Sequence, residues 1–293
     1  MSSPLPTLET APPRLEDLRA ELDQLDDVLH DTLMRRAEIV AQVGASGVKG
    51  TVPLRPGREA SIIRRLLARH TGGLPAAGLV RIWRELICAN TSLQRPLLIS
   101  VCEAEGGQAY LAAAREHFGA LTPVRAHRTP AQAIREVSGG VATAAVLPLP
   151  AEGEAPGAAW WTALLHRDDP RIHVVARLPI WTARPEGAPR VQALVVSAAA
   201  PDPSGQDRSL LGLELPLESS RARLSADLAA AGFNAGPVIL RRDQGAPVAH
   251  ALVDVDGFVG DADPRLVALH GMLRPPVVLG AYAVPVGPKE AGR

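Results

Sequence analysis

One stretch near the N-terminus, Arg14 to Val43, constrains the fold more than any other part of the chain. Apolar residues recur there at alternating steps of three and four, and neither Gly nor Pro interrupts the run. This spacing predicts one amphipathic helix that ends at Gly44. At 1.5 Å per residue the helix would be about 45 Å long. A small helical domain cannot cover a stripe of that length, so we expect a partner helix from a second chain.

One residue of the stripe is out of place. Arg36 lies in the same heptad column as Leu15, Leu22 and Leu29, where an apolar residue is expected. Because an unpaired buried guanidinium is costly, Arg36 needs an anionic partner. Two interpretations stay open at this point. The partner is either an acid such as Asp31, or an anionic ligand in a pocket of a helical bundle.

Composition excludes several classes of protein. The 293 residues should form two or three domains with substantial cores, since 46% of them are hydrophobic. A formal net charge of zero argues against a nucleic-acid binder that works through overall charge. We expect no metal site, because Cys88, Cys102 and the eight histidines show no metal-ligand spacing. The N-terminus does not resemble a signal peptide and no apolar run could span a bilayer, so we expect a cytoplasmic protein.

Two further helices follow. One should begin near Pro56 and run to about His70, and the next should begin near Pro75 and end at Arg95. With the long helix they form an expected first domain, residues 14–96.

The inward faces of this domain carry several polar residues. An amide pair four residues apart projects from one side of a helix, and such a pair is most often a surface or capping feature. Here it converges with an acid and several cations, which favours a polar pocket. The converging residues are Arg36, Glu59, Asn90 and Gln94, with Arg19, Arg55 and Arg58 nearby.

The rest of the chain alternates strands and helices. Residues 97–200 have the order βαβαβ followed by further strands, which predicts a small α/β domain. Residues 208–286 have the order βαββαβ of a ferredoxin-like α+β domain, with its last helix expected from Asp263 to Leu273. The predicted fold class is therefore multidomain, α + α/β, with domain boundaries near residues 96 and 200.

The first domain resembles the all-helical chorismate mutases, whose three helices form an intertwined dimer. The resemblance is carried by LRAELDQLDDVLHDTLMRRAEIVAQVG, RPGRE and NTSLQ, in this order and spacing. It implies an isomerase that rearranges chorismate to prephenate in aromatic amino-acid biosynthesis, as a homodimer and without metal or cofactor. Catalysis would consist of holding a reactive conformer and stabilising negative charge on the ether oxygen.

The resemblance also implies a role for each polar residue. Arg19 of the partner chain and Arg36 would clamp the two carboxylates of the substrate. Glu59 would hold the substrate hydroxyl, and Gln94 would donate to the ether oxygen. Two further substrate contacts depart from the family pattern: Asn90 replaces a small hydroxyl residue and Arg55 replaces a common acid.

A second donor to the ether oxygen is displaced in this sequence. The family has a lysine three residues after the glycine that closes the first helix, and here that position is Gly47. Lys49 follows two residues later. Either the loop bulges so that Lys49 takes the catalytic role, or the site lacks this donor, at a cost of about 10²–10³ in rate.

The remainder resembles a truncated prephenate dehydratase followed by an ACT-like domain. AEGGQAYLAAAREHFG, AAVLPLP, LVDVDGF and LGAYAVP carry the resemblance, but Val191-Gln192-Ala193 stands where that family has a catalytic Thr-Arg-Phe motif. We therefore predict no dehydratase activity. Two alternatives to a mutase stay open: a non-catalytic regulatory or aromatic-ligand-binding protein on the mutase scaffold, or an enzyme that eliminates pyruvate from isochorismate.

Overall fold

The computed structural model describes residues 14–45, 53–103 and 108–287. It divides the chain into two compact units, residues 1–48 and 49–293. The described part of the first unit is one helix, and the second unit is built around one large sheet.

Helix α1 spans Leu15–Ala45, so the predicted long helix is confirmed, although Gly44 lies inside it. Glu16 and Asp17 in its first turn suit the positive end of the helix dipole. None of its residues is buried, and Leu15 and Leu22 of the apolar stripe are 62% and 59% exposed. Neither α1 nor any other helix of the described residues is long and apolar enough to cross a membrane.

The next two helices are α2, Pro56–Ala68, and α3, Ala76–Ser92, close to their predicted bounds. Both belong to the second unit, because each buries one face within it. Leu67 of α2 is completely buried. On α3 the buried face includes Arg84 and Cys88, whereas Ile82 and Leu93 are exposed.

Nine strands of the described residues form one sheet, in the order β2-β1-β3-β5-β4-β9-β6-β8-β7. The strands are β1 Ile99–Cys102, β2 Val124–His127, β3 Ala144–Pro148, β4 His173–Leu178, β5 Ala193–Ser197, β6 Asp207–Leu215, β7 Ala235–Arg241, β8 Ala249–Asp256 and β9 Val277–Ala283. The remaining helices are α4 Gln108–Phe118, α5 Pro130–Ser138, α6 Arg221–Ala230, α7 Pro264–Val267 and a 3₁₀ helix, Trp160–His166.

Each half of the sheet has the predicted element order. β1, β2 and β3 are parallel and alternate with α4 and α5, and a Thr129 capping box begins α5. In the other half the strands β9-β6-β8-β7 are antiparallel, as a βαββαβ arrangement requires. The predicted last helix was too long, since α7 ends at Val267. Leu269 beyond it is buried, and Gly271 has a φ of 77°, outside the helical region.

The two halves meet between β4 and β9. We call this junction the seam. One Cα pair, Val174 with Gly280, defines it, and Trp181 pairs with Val286 in an isolated parallel bridge further along. The apolar face of α2 packs on this bridge through Ile63 and Leu67. The strands expected of two domains therefore share one sheet, while the boundaries at 96 and 200 remain a prediction.

Replacing Gly280 with alanine should weaken the seam. Gly280 has a φ of 143°, and an added Cβ would lie 2.1 Å from the carbonyl oxygen of Val174. Strain and overpacking together should lower the free energy of unfolding by about 3 kcal/mol, which urea denaturation measures. Gly260→Ala is the control, because a Cβ there meets no atom within 4 Å. Equal stability of the two variants would contradict the assignment of Gly280 to a tight junction.

Candidate active site

Glu59 lies in the first turn of α2 and forms a buried ion pair. Nη1 of Arg84 donates to its Oε2 at 2.6 Å. Nε and Nη2 of Arg84 donate to the carbonyl oxygen of His117 at 2.8 and 2.5 Å. Burial alone would lower the pKa of Arg84, but the charge and hydrogen bond of Glu59 outweigh it and raise that pKa. One guanidinium therefore joins α2, α3 and α4.

Two other reactive side chains lie beside this pair. Burial, together with the charge of Arg84, holds the pKa of His117 well below its usual value, so the imidazole is neutral at pH 7. Burial also raises the pKa of the Cys88 thiol to about 11, against the opposing effect of Arg84. A protonated thiol is a poor nucleophile. The cluster is consequently suited to packing and charge pairing, and nucleophilic chemistry has no support there.

Asn90, on the buried side of α3, presents an acceptor. Its Nδ2 donates to the carbonyl oxygen of Leu86 at 2.7 Å. Its Oδ1 is buried and has no hydrogen-bond partner within the described ranges. A buried polar atom without a partner costs roughly 1–3 kcal/mol, which favours a ligand at this position. Gln94 lies one turn further along the chain and is half-buried.

Arg55 precedes α2 and already has an anionic partner. Its Nε donates to Oδ2 of Asp202 at 3.2 Å. Asp202 also accepts from the backbone amides of Gly57 and Arg58. Arg55 is thus an exposed cation whose position is set by a residue far away in the sequence.

The two predicted arginines of α1 differ in environment. Arg19 is exposed, whereas Arg36 is half-buried and burial lowers its pKa. Nη1 of Arg36 is buried without a hydrogen-bond partner in the part of the chain that the structure describes. The nearby acid Asp31 pairs with His30 at 3.4 Å, and no ion pair joins Arg36 to any described acid. Within one chain Arg36 therefore has no acid as partner among these residues, and an acid of a partner helix or an anionic ligand stay the two predictions for it.

The predicted site residues thus fall into three groups. Arg55 and Glu59 lie at the start of α2, and Asn90 and Gln94 lie near the end of α3, two helices that contact each other. Arg19 and Arg36 lie on α1 in the other unit. Lys49 and Gly47 lie outside the described residues.

A second polar cluster lies on the sheet, away from these residues. Glu136 of α5 accepts from Oγ of Ser100 at 2.6 Å and from Nη1 of Arg125 at 2.5 Å, and it pairs with Nε2 of His127 at 3.0 Å. Burial by itself raises the pKa of Glu136, but these partners lower it to about 2. Because the carboxylate is ionised and already occupied, the cluster fastens α5 to β1 and β2.

Comparison with known protein families supports the predicted family of the helical segment. Residues 18–95 match the family Chorismate mutase type II. The match confirms the predicted chorismate mutase segment, while its bounds at 14–96 remain a prediction. A bifunctional chorismate mutase/prephenate dehydratase of Aquifex aeolicus is 31% identical over 128 residues, 42% of this chain and 34% of that protein. The chain therefore spans about a third of this relative, and the alignment is longer than the segment 18–95.

The solved structures that resemble this chain have lower sequence identity to it than the Aquifex aeolicus relative has. GqqA, described as a novel type of quorum quenching acylase, covers 64% of this chain and 95% of its own, with 20% identity and a TM-score of 0.47. Prephenate dehydratase from Arthrobacter aurescens, in complex with L-Phe, covers 64% of this chain and 90% of its own, with 15% identity and a TM-score of 0.46. Neither likeness extends to the activity of this chain.

Two residues of this region were missed by sequence reasoning. Arg84 carried a usable signal, because it lies four residues from both Val80 and Cys88 on an apolar face, just as Arg36 lies in an apolar column. Asp202 carried none, since it stands in a Pro-rich loop 145 residues from the amide that it binds.

Removing the charge of Glu59 should destabilise the fold. In Glu59→Gln the guanidinium of Arg84 loses its counter-charge while 3% exposed, which should lower the free energy of unfolding by about 3–5 kcal/mol. Chemical denaturation measures this loss. Glu38→Gln breaks the exposed pair with Arg35 on α1 and should change stability by less than about 1 kcal/mol. Similar small losses in both variants would contradict a desolvated Glu59–Arg84 pair.

Proposed function

We propose that the chain is a chorismate mutase, an isomerase that rearranges chorismate to prephenate in aromatic amino-acid biosynthesis. The match of residues 18–95 to Chorismate mutase type II carries this proposal, and the bifunctional relative supports it. The rearrangement occurs within one molecule, so the protein has to supply orientation and stabilisation of charge.

The charges of α1 fit a dicarboxylate substrate. Nη1 of Arg36 is buried without a partner among the described residues, and an anion there would offset the cost of its desolvation. In the proposed site Arg36 binds one carboxylate in the bidentate geometry that guanidinium groups favour. Arg19 of the partner subunit, exposed in the single chain, binds the other.

The start of α2 and the end of α3 supply the remaining contacts. Arg84 keeps the Glu59 side chain fixed through Oε2, and the free lone pairs of the carboxylate accept from the substrate hydroxyl. Asn90 keeps one Nδ2 hydrogen besides the one that the carbonyl oxygen of Leu86 accepts, and this hydrogen can donate to a substrate carboxylate. Gln94 donates to the ether oxygen with Lys49 as the second donor, and Arg55 adds positive charge at the edge of the site.

The proposed enzyme is a homodimer formed through α1. The stripe on this helix leaves Leu15, Leu22, Leu25 and Leu29 each more than half exposed. An exposed apolar surface of this length marks an interaction site. A second α1 presents the same stripe and so covers it by symmetry.

The remainder of the chain is proposed to lack dehydratase activity and to end in an ACT-like domain. The stretch in place of the dehydratase motif contributes Gln192, whose Oε1 accepts from Nη2 of Arg177 at 2.8 Å. Glutamine is a neutral group and supplies neither the charge nor the hydroxyl of a Thr-Arg-Phe motif. The antiparallel order β9-β6-β8-β7 supports the ACT-like assignment.

The purified protein should convert chorismate to prephenate without added metal or nucleotide, and Arg36→Ala should remove nearly all turnover. Loss of a charged group that stabilises the transition state typically costs about 10²-fold or more. Chorismate absorbance measures the rate. Arg35→Ala is the matched control, because Arg35 is the neighbouring arginine and pairs with exposed Glu38. A wild-type protein that leaves chorismate unchanged contradicts the proposal.

Leu22→Glu should separate the dimer. A carboxylate without a counter-charge is costly in an apolar interface, and each chain also loses the burial of a leucine. Sedimentation equilibrium should show a monomer, and turnover should fall because Arg19 is supplied by the partner. Asp23→Asn, on the adjacent exposed position, should remain dimeric. A wild-type monomer with full turnover would refute the shared site.

A further inference from the structure

Asp202 binds the beginning of α2 through three donors. It lies in the segment that connects β5 to β6, far from α2 in sequence. Its Oδ1 accepts from the amide of Gly57 at 3.0 Å. Its Oδ2 accepts from the amide of Arg58 at 3.0 Å and from Nε of Arg55 at 3.2 Å. The Asp202 side chain is 12% exposed, so these bonds are poorly screened by water.

These bonds replace a local helix cap. Arg55 stands at the N-cap position and makes no side-chain cap hydrogen bond. The first amides of a helix have no partner inside the helix, and a carboxylate near them interacts favourably with the helix dipole. The regular hydrogen bonding of the helix begins at the next amide, since the amide of Glu59 donates to the carbonyl oxygen of Arg55 at 2.9 Å. Asp202 thus fixes the turn from which Glu59 projects.

The same segment approaches α2 along several residues. A Cβ on Gly57 would lie 2.0 Å from the carbonyl oxygen of Asp202, so only glycine permits this contact. Oγ of Ser61 donates to the carbonyl oxygen of Ser204 at 3.1 Å. Arg64 donates from Nη1 to Oγ of Ser204 at 2.8 Å and from Nη2 to the carbonyl oxygen of Val284, just after β9, at 2.6 Å.

We propose that Asp202 is a positioning residue of the mutase site, an inference that rests on the proposed function. It orients the guanidinium of Arg55 and the first turn of α2, and through that turn it sets the direction of Glu59. The geometry of a site carried by the first 95 residues therefore depends on a carboxylate supplied by the C-terminal half of the chain. Misplacement of a catalytic group by about 1 Å can cost about 10² in rate.

Three variants of the full chain test this role. Asp202→Ala removes all three bonds, and Asp202→Asn keeps a neutral acceptor for one amide. Asp263→Asn is the matched control, because Asp263 caps α7 and pairs with Arg265 without touching α2. We expect kcat/KM for chorismate to fall at least about tenfold in Asp202→Ala, to fall less in Asp202→Asn, and to stay unchanged in Asp263→Asn.

Hydrogen exchange supplies a readout that does not depend on turnover. The amides of Gly57 and Arg58 should exchange faster in Asp202→Ala than in the wild type, while the amides of α4 should not change. Circular dichroism checks folding, and if Asp202→Ala fails to fold, Asp202→Asn alone decides. A tenfold loss together with local exchange supports the inference.

The outcomes separate this inference from the proposed function. A wild-type enzyme that turns over chorismate, with Asp202 variants of equal kcat/KM, overturns the role of Asp202 and leaves the mutase intact. An equal loss in Asp263→Asn also overturns it, because the effect would then be one of general stability. A wild-type chain without turnover overturns the proposed function and the positioning role with it.

Discussion

The ion pair between Arg84 and Glu59 determines how helices α2, α3 and α4 pack on one another. A guanidinium that is 3% exposed has to find an acceptor for its hydrogens. Glu59 and the carbonyl oxygen of His117 provide those acceptors from two different helices. At 100° per residue, Asn90 lies about 120° away from Arg84 around α3. Helix α3 therefore carries Arg84 of the buried ion pair on one side and, in the proposed site, the substrate-facing amide of Asn90 on another side.

The predictable part of the structure was the part encoded by local pattern. The spacing of leucines in α1, the Pro and Gly residues around α2 and α3, and the order βαββαβ all specify elements without reference to distant residues. Their pairing into one sheet was not predictable, because the seam consists of one Cα pair and a bridge between strands about 100 residues apart. The predicted extent of α7 was too long, since the helix ends at Val267 and Gly271 has a φ of 77°, outside the helical region.

The candidate site was predictable as a set of residues and much less as a set of contacts. Arg36, Glu59 and Asn90 stood out because polar groups on apolar faces require explanation. Their partners were missed, because the position of Arg84 between Val80 and Cys88 on an apolar face was overlooked and Asp202 lies beyond any local pattern. Sequence periodicity reports which side of a helix is buried, but the atom that satisfies a buried charge comes from the tertiary fold.

Helix α2 lies across the seam. It contacts β4 and β9, packs on Trp181 and Val286, and hydrogen-bonds to the segment before β6. The two halves of the sheet and the proposed catalytic helix should therefore unfold as one cooperative unit, although sequence order separates them. Two requirements therefore constrain the sequence of the C-terminal half, the packing of its own core and the position of α2. A substitution that suits its own core but shifts the segment 202–206 also alters the helix that carries Glu59, so neither half can drift independently of the other.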